Sequence, residues 1–287
     1  MSKEILSRTV YMHQIVNPPV TGRSIQSKIN FMNLKDLEIS DWKNEGGQQR
    51  FTLKINDPKR IGLESCEQSD IEKFIDKILL ACNLTLKRAA FSRQICDISD
   101  SKMQFEDNNT LSGEPKVTKT LTSFRVETSE NIRIRESKHI TAGFQDVLDE
   151  ASVLEIVKKI DSLDNLSGTV KFQIQDIRKS LTDYFVAMSI FDRGGIFKHL
   201  FRSLELSTNC DGRDRIGQSL DNEVSKVAAI SRADVKDWRE FNDRTKHINR
   251  NQQEEKLYKN GLLKLGERLD PLRWACQKII LNRLCNI

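Results

Sequence analysis

The chain has no C-x-x-C pair among its six cysteines, and none of its four histidines stands at metal-ligand spacing from them. No structural zinc, disulfide framework or other metal or cofactor is therefore expected. It also lacks an apolar run long enough to span a bilayer, so no membrane association is expected. Internal repeats and low-complexity segments are missing too. Charge of one sign is not in excess: 46 basic residues face 41 acidic ones, a net +5 spread along the chain. Binding to nucleic acid by counterion release needs clustered cations, so this small surplus alone does not point there. Residues 1–10 carry Lys3, Glu4 and Arg8 with no continuous apolar stretch, unlike a signal peptide. Cys82 and Cys276 fall on apolar helical faces and read as reduced core thiols. Together these features give a cytoplasmic expectation.

What is present is a charge-rich globular composition, 38% hydrophobic and 30% charged over 287 residues. That length favours two domains, each able to bury its own core. Up to about Glu136 the dominant period is two. Phe51, Leu53 and Ile55 alternate with Thr52, Lys54 and Asn56, as a strand with one wet face requires. Ile132 and Ile134 alternate with charged and polar neighbours, after a β-forming stretch from Thr118 to Val126. Turn signals stand at Glu45-Gly46-Gly47 and Asn56-Asp57-Pro58. One helix interrupts this half, from about Ser69 to Leu86, its stripe of Ile71, Phe74, Ile75, Ile78, Leu79 and Cys82 destined for the sheet. Asp97 to Glu114 has no period and reads as a surface loop.

After about Thr141 the period becomes 3.6. The expected fold is an α+β amino-terminal domain over 1–140 followed by an all-α helical bundle over 141–287. A short helix carries Val153 to Ile160, and a longer one carries Ile174 to Phe191. Gly194-Gly195 should kink or break the latter, each glycine costing about 1 kcal/mol in a helix interior. Thr208 to Gly217 reads as a loop, Val224 to Ile230 as a helix, and Ser231 as the cap of the next. A last helical stretch runs from about Gln253 to Leu284, bent or divided by Pro271.

Chemistry concentrates in Trp238-Arg239-Glu240-Phe241-Asn242-Asp243-Arg244-Thr245-Lys246-His247. An imidazole titrates near neutrality and moves protons there. With Asn242 orienting a phosphate or ribose and Arg244 or Lys246 neutralising charge, His247 has the means for metal-independent RNA cleavage, activating a 2′-hydroxyl against its phosphate. In the competing reading Trp238 and Phe241 pack inward and the polar residues form a solvated helix end. Elsewhere, Gly194-Gly195 with Lys198 lacks the spacing of a phosphate loop. Asp211, Arg213, Asp214 and Arg215 read as a salt-bridged loop rather than a metal or phosphate site. Arg133 and Arg135, with Lys116 and Lys119, read as a solvated sheet face rather than a nucleic-acid track.

A long apolar helix, an interrupted continuation, a polar loop and then Phe241-Asn242-Asp243-Arg244-Thr245-Lys246-His247 resemble the HEPN superfamily, helical bundles of prokaryotic defence and toxin systems. The family motif is an arginine, commonly followed by asparagine, then a histidine after four to six residues. Asn242 and His247 match the last two, and Phe241 stands where the arginine would be. The resemblance covers about residues 145–287. It implies a homodimer through the helical domain, and either RNA cleavage or non-catalytic RNA or nucleotide binding. The catalytic candidates are then His247 and Asn242, and the RNA- or phosphate-binding candidates are Arg239, Arg244 and Lys246. A different class remains open: a non-enzymatic sensor or adaptor whose β-rich half recognises a ligand while the bundle dimerises.

Overall fold

The computed structural model describes residues 5–14, 29–32, 34–45, 48–65, 67–87, 89–92, 104–105, 146–165, 171–190, 192–246 and 265–286. The expected strands at 118–126 and 131–135, and the boundary near 141, lie outside these residues. An α+β region comes first and a helical bundle follows, as the change of period implies.

The sheet is built on β1 (Ile5–Gln14) and β4 (Gln48–Asn56), paired antiparallel with Leu6 opposite Ile55 and Val10 opposite Phe51. β3 (Leu37–Glu45) flanks β4. β5 (Ala89–Ser92) takes the Tyr11–Gln14 end of β1, and β6 (Gln104–Phe105) takes Leu6 and Ser7. β6 corrects the reading of 97–114 as loop throughout: two residues hold a strand there through the ladder of β1. Because strand side chains alternate in direction, Leu6, Arg8, Val10 and Met12 share one face with Phe51, Leu53 and Ile55, and all are buried. α1 (Gln68–Thr85) covers that face with the predicted stripe.

Arg8 is the polar member of this interface, with Nη1 3.1 Å from Glu72 Oε1 and Nη2 3.3 Å from Oε2. Asp76 lies one turn further along α1, and burial pushes its carboxyl up to about 7 against the opposing pull of Arg8. Burial also lowers the Arg8 guanidinium from its ordinary value. Desolvation of both groups outweighs their attraction.

β2 (Ile29–Met32) pairs in parallel with β7 (Asp146–Asp149), which runs directly into α2 (Glu150–Asn165). The Glu150 carboxylate accepts the backbone N–H groups of Lys35 at 2.5 Å, Asp36 at 3.0 Å and Leu37 at 3.2 Å, which fixes the start of β3 against the start of α2. Lys77 of α1 pairs with Asp161 of α2.

The bundle continues with α3 (Lys171–Ser189), α4 (Arg193–Asn209), α5 (Gln218–Ala228), α6 (Arg232–Lys246) and α7 (Leu265–Asn286). Gly194-Gly195 marks a new helix start rather than a kink. Asp192 caps α4 by accepting Gly195 N–H at 2.5 Å, and a Cβ on Gly195 would come within 3.0 Å of Ile190 Cδ1. α4 runs to Asn209, so the polar loop begins later than Thr208. Pro271 lies inside α7 without dividing it.

Asn83 joins the two halves. Its carboxamide donates to Phe91 O at 2.8 Å and accepts Phe91 N–H at 2.7 Å, pinning β5 to the last turn of α1. Its backbone carbonyl accepts from Tyr184 Oη at 2.8 Å, Gln277 Nε2 at 2.8 Å and Arg273 Nη2 at 3.3 Å. A helix C-terminus leaves carbonyls without intrahelical donors, and side chains of α3 and α7 supply them here. The buried apolar residues of sheet and bundle form a single cluster.

Candidate functional site

α6 starts after Ser231, whose Oγ accepts Ala233 N–H at 3.1 Å, the capping role its position predicts. The helix then turns Trp238 and Phe241 into the bundle, each 1% exposed. Phe241 meets Phe197 of α4 edge-on at 4.9 Å, and the Arg268 guanidinium of α7 covers its ring at 4.8 Å. Asn242, adjacent to Phe241, goes inward with it at 4% exposure, and its Nδ2 has no hydrogen-bond partner among the described residues.

Arg239 holds buried Asp221 of α5 through Nε at 3.1 Å and Nη2 at 2.9 Å, and this raises its pKa further. Arg244 Nη2 lies 3.7 Å from Glu240 Oε2. Lys246 is the final residue of α6, and His247 lies outside the described residues. Of the residues expected here, Asn242 therefore points into the bundle and Arg239 is committed to a carboxylate on the neighbouring helix. A cleft of about 330 Å³ does open between α6 and α7, but Asp234, Asp237 and Glu267 line it against Arg268, and Arg268 is bonded to Asp237 at 2.6 Å. Its net negative charge repels a phosphate backbone.

Between α3 and α4 a different set converges. Asp183 of α3 is 7% exposed. Its Oδ1 lies 2.9 Å from His199 Nδ1, and its Oδ2 lies 3.2 Å from Arg202 Nε. His199 and Arg202 stand three apart on α4 and so share a face. The His199 side chain is 31% exposed and that of Arg202 is 62% exposed, so both reach solvent from a shielded carboxylate.

The register that brings these groups together is fixed next to them. Ser180 Oγ donates to Ser203 O at 2.8 Å and Ser203 Oγ donates to Ser180 O at 2.9 Å, a reciprocal pair that draws the helices close. A carboxylate on Nδ1 orients an imidazole, which leaves Nε2 to exchange a proton with a bound group. Arg202 beside it supplies positive charge for a phosphate. Phe197, directed toward α6, is two residues from His199 and so about 200° around α4 from it. The imidazole accordingly faces away from α6.

Sequence reasoning passed over this site. Arg193 opens α4, about 9 Å along the axis from His199. Two glycines between them drew the reading toward helix interruption. Asp183 could be found only by knowing how α3 packs on α4.

The remaining candidates have structural roles. Arg215 Nη1 and Nη2 each lie 2.6 Å from a different oxygen of Asp211, and this pairing holds the Asp211 carboxyl down to about 2. Arg215 and Arg283 both donate to Thr208 O, closing the end of α4. Burial pushes the Cys82 thiol up to about 12 and the Cys276 thiol up as well. Among the described residues no group of three or more metal-ligating side chains gathers, and no helix is long and apolar enough to cross a membrane. No family model, no curated protein and no solved structure matches this chain.

Proposed function

We propose that this chain acts on RNA through its helical half, as a HEPN-like protein, and that the acting surface is the α3–α4 face bearing His199 and Arg202. The observation that carries this reading is the Asp183–His199–Arg202 contact, a buried carboxylate orienting an accessible imidazole next to an accessible guanidinium. Such a set supports metal-independent phosphodiester cleavage. His199 Nε2 takes the proton of a ribose 2′-hydroxyl, the oxygen attacks the adjacent phosphorus, and Arg202 offsets the charge that grows on the phosphoryl oxygens. Asp183 holds the ring in place through Nδ1.

The test is digestion of mixed-sequence RNA in excess chelator by the wild type, His199→Ala and His247→Ala. Cleavage by the wild type and His247→Ala but not by His199→Ala supports the α3–α4 face. Loss in His247→Ala alone returns the chemistry to the end of α6. Equal cleavage by all three removes both imidazoles from the mechanism.

A second reading, a non-enzymatic adaptor, is favoured by a separate observation: Met32 and Val147 on the β2–β7 pair are 49% and 45% exposed. Apolar side chains on a small parallel pair suit contact with a partner. That reading predicts RNA left intact and a mass that rises with concentration in light scattering, and a constant monomer mass would refute it.

A further inference from the structure

Cys285 lies in the last turn of α7 and is exposed, whereas Cys82, Cys210 and Cys276 are buried. Its Sγ is 3.0 Å from Nζ of Lys159 on α2, 126 positions away in the chain. Glu155, one turn earlier on α2, lies 3.3 Å from the same ammonium. The two contacts raise Lys159 above the ordinary lysine value, the hydrogen bond to Cys285 being the larger cause. The thiolate is the nucleophilic form of a cysteine. The pair therefore joins a nucleophile, a proton donor and, once that proton has gone, an amine within bonding reach, supplied by two different helices. This feature is separate from the α3–α4 face and does not depend on RNA.

We propose that Lys159 and Cys285 form a peroxide-driven sulfur–nitrogen bridge that ties α2 to the end of α7. In the first step the thiolate attacks one oxygen of a peroxide. The sulfur–oxygen bond forms, the oxygen–oxygen bond breaks, and the departing hydroxide takes a proton from the Lys159 ammonium to leave as water. Sulfur has been oxidised and the peroxide reduced, and a sulfenic acid now faces a neutral amine. In the second step the amine attacks sulfur. The sulfur–nitrogen bond forms, the sulfur–oxygen bond breaks, and hydroxide departs with one amine proton as water. One peroxide is consumed and two waters are released. Thiols reverse the bridge by attack at sulfur.

The experiment treats the full chain with hydrogen peroxide at neutral pH and follows intact mass and proteolytic peptides by mass spectrometry. The expected product has lost two hydrogens, contains a peptide pair joined between Lys159 and Cys285, and returns to its starting mass in dithiothreitol. Its urea midpoint rises, because the link closes a long loop of chain. Lys159→Arg keeps the cation but removes the amine, so the reaction stops at a sulfenic acid that dimedone traps. Cys285→Ser yields neither product. Both variants lie at the surface, and unchanged far-ultraviolet circular dichroism verifies their folds. Wild type that accumulates sulfenic acid without the joined peptide overturns the proposal, as does a Lys159→Arg chain losing two hydrogens as readily as the wild type.

Discussion

Raising the pH from 4 to 8 removes a proton from a carboxyl that the sheet–helix interface prefers to keep neutral. Asp76 loses its proton at about 7 in the folded chain, against an ordinary value of 3.8, with burial the dominant cause and Arg8 opposing it. Once unfolded, the same carboxyl ionises near its ordinary value, so the unfolded state gives up its proton first. The folded state is thus penalised progressively between about pH 4 and pH 7, and the penalty is constant above. The distance from 3.8 to about 7 corresponds to about 4 kcal/mol. Partial exposure of this side chain to solvent screens the charge and reduces the figure to about 2 kcal/mol. Arg8 faces Asp76 across this interface, and Glu72, one turn earlier on α1, contacts the same guanidinium. Asp76→Asn removes the titration while keeping the shape. Urea unfolding at several pH values should show the variant and wild type close together at pH 4, and the variant more stable by about 2 kcal/mol at pH 8. Curves that stay parallel across this range would refute the reasoning.

Replacing Asn83 by Ala strands the main-chain N–H and C=O of Phe91, so urea unfolding should show a loss of about 2–5 kcal/mol. Phe241→Arg sets an arginine directly before Asn242, yet it puts a cation beside Phe197 and Arg268 at a site 1% exposed. Thermal melting should fall by the equivalent of about 4 kcal/mol or more, with no gain in RNA cleavage. Asp183→Asn leaves the helices docked through Ser180 and Ser203 but no longer offers a carboxylate to His199 Nδ1. The rate of RNA cleavage in chelator should drop about 100-fold or more while RNA affinity changes little. Gly195→Ala crowds Ile190 and the Asp192 cap and should lower the melting temperature modestly, by the equivalent of about 1 kcal/mol.

The sequence patterns that proved legible belong to elements with one wet face. Phe51, Leu53 and Ile55 on β4, and the stripe from Ile71 to Cys82 on α1, repeat at the period of their element, and the fold buries them. β1 escapes the same reading because Arg8 interrupts its apolar face, and only the carboxylates of α1 make that arginine tolerable there. β6 is too short for any period to register. In α6 the competing reading has Trp238 and Phe241 packing inward, as they do, but Asn242 is carried inward with them although its chemistry suggested an open cleft. His199 posed the opposite difficulty. It sits among Phe197, Leu200 and Phe201, and its partner Asp183 is 16 residues away on another helix. No single-helix pattern connects the two, because the contact exists only once Ser180 and Ser203 set the packing of α3 on α4.

The most direct measurement is the nitrogen-15 spectrum of the His199 imidazole as a short RNA is titrated into the full chain. The account predicts that the Nε2 resonance moves with RNA occupancy while Nδ1 keeps the signature of its hydrogen bond to Asp183. RNA binding with both His199 resonances unmoved would contradict it.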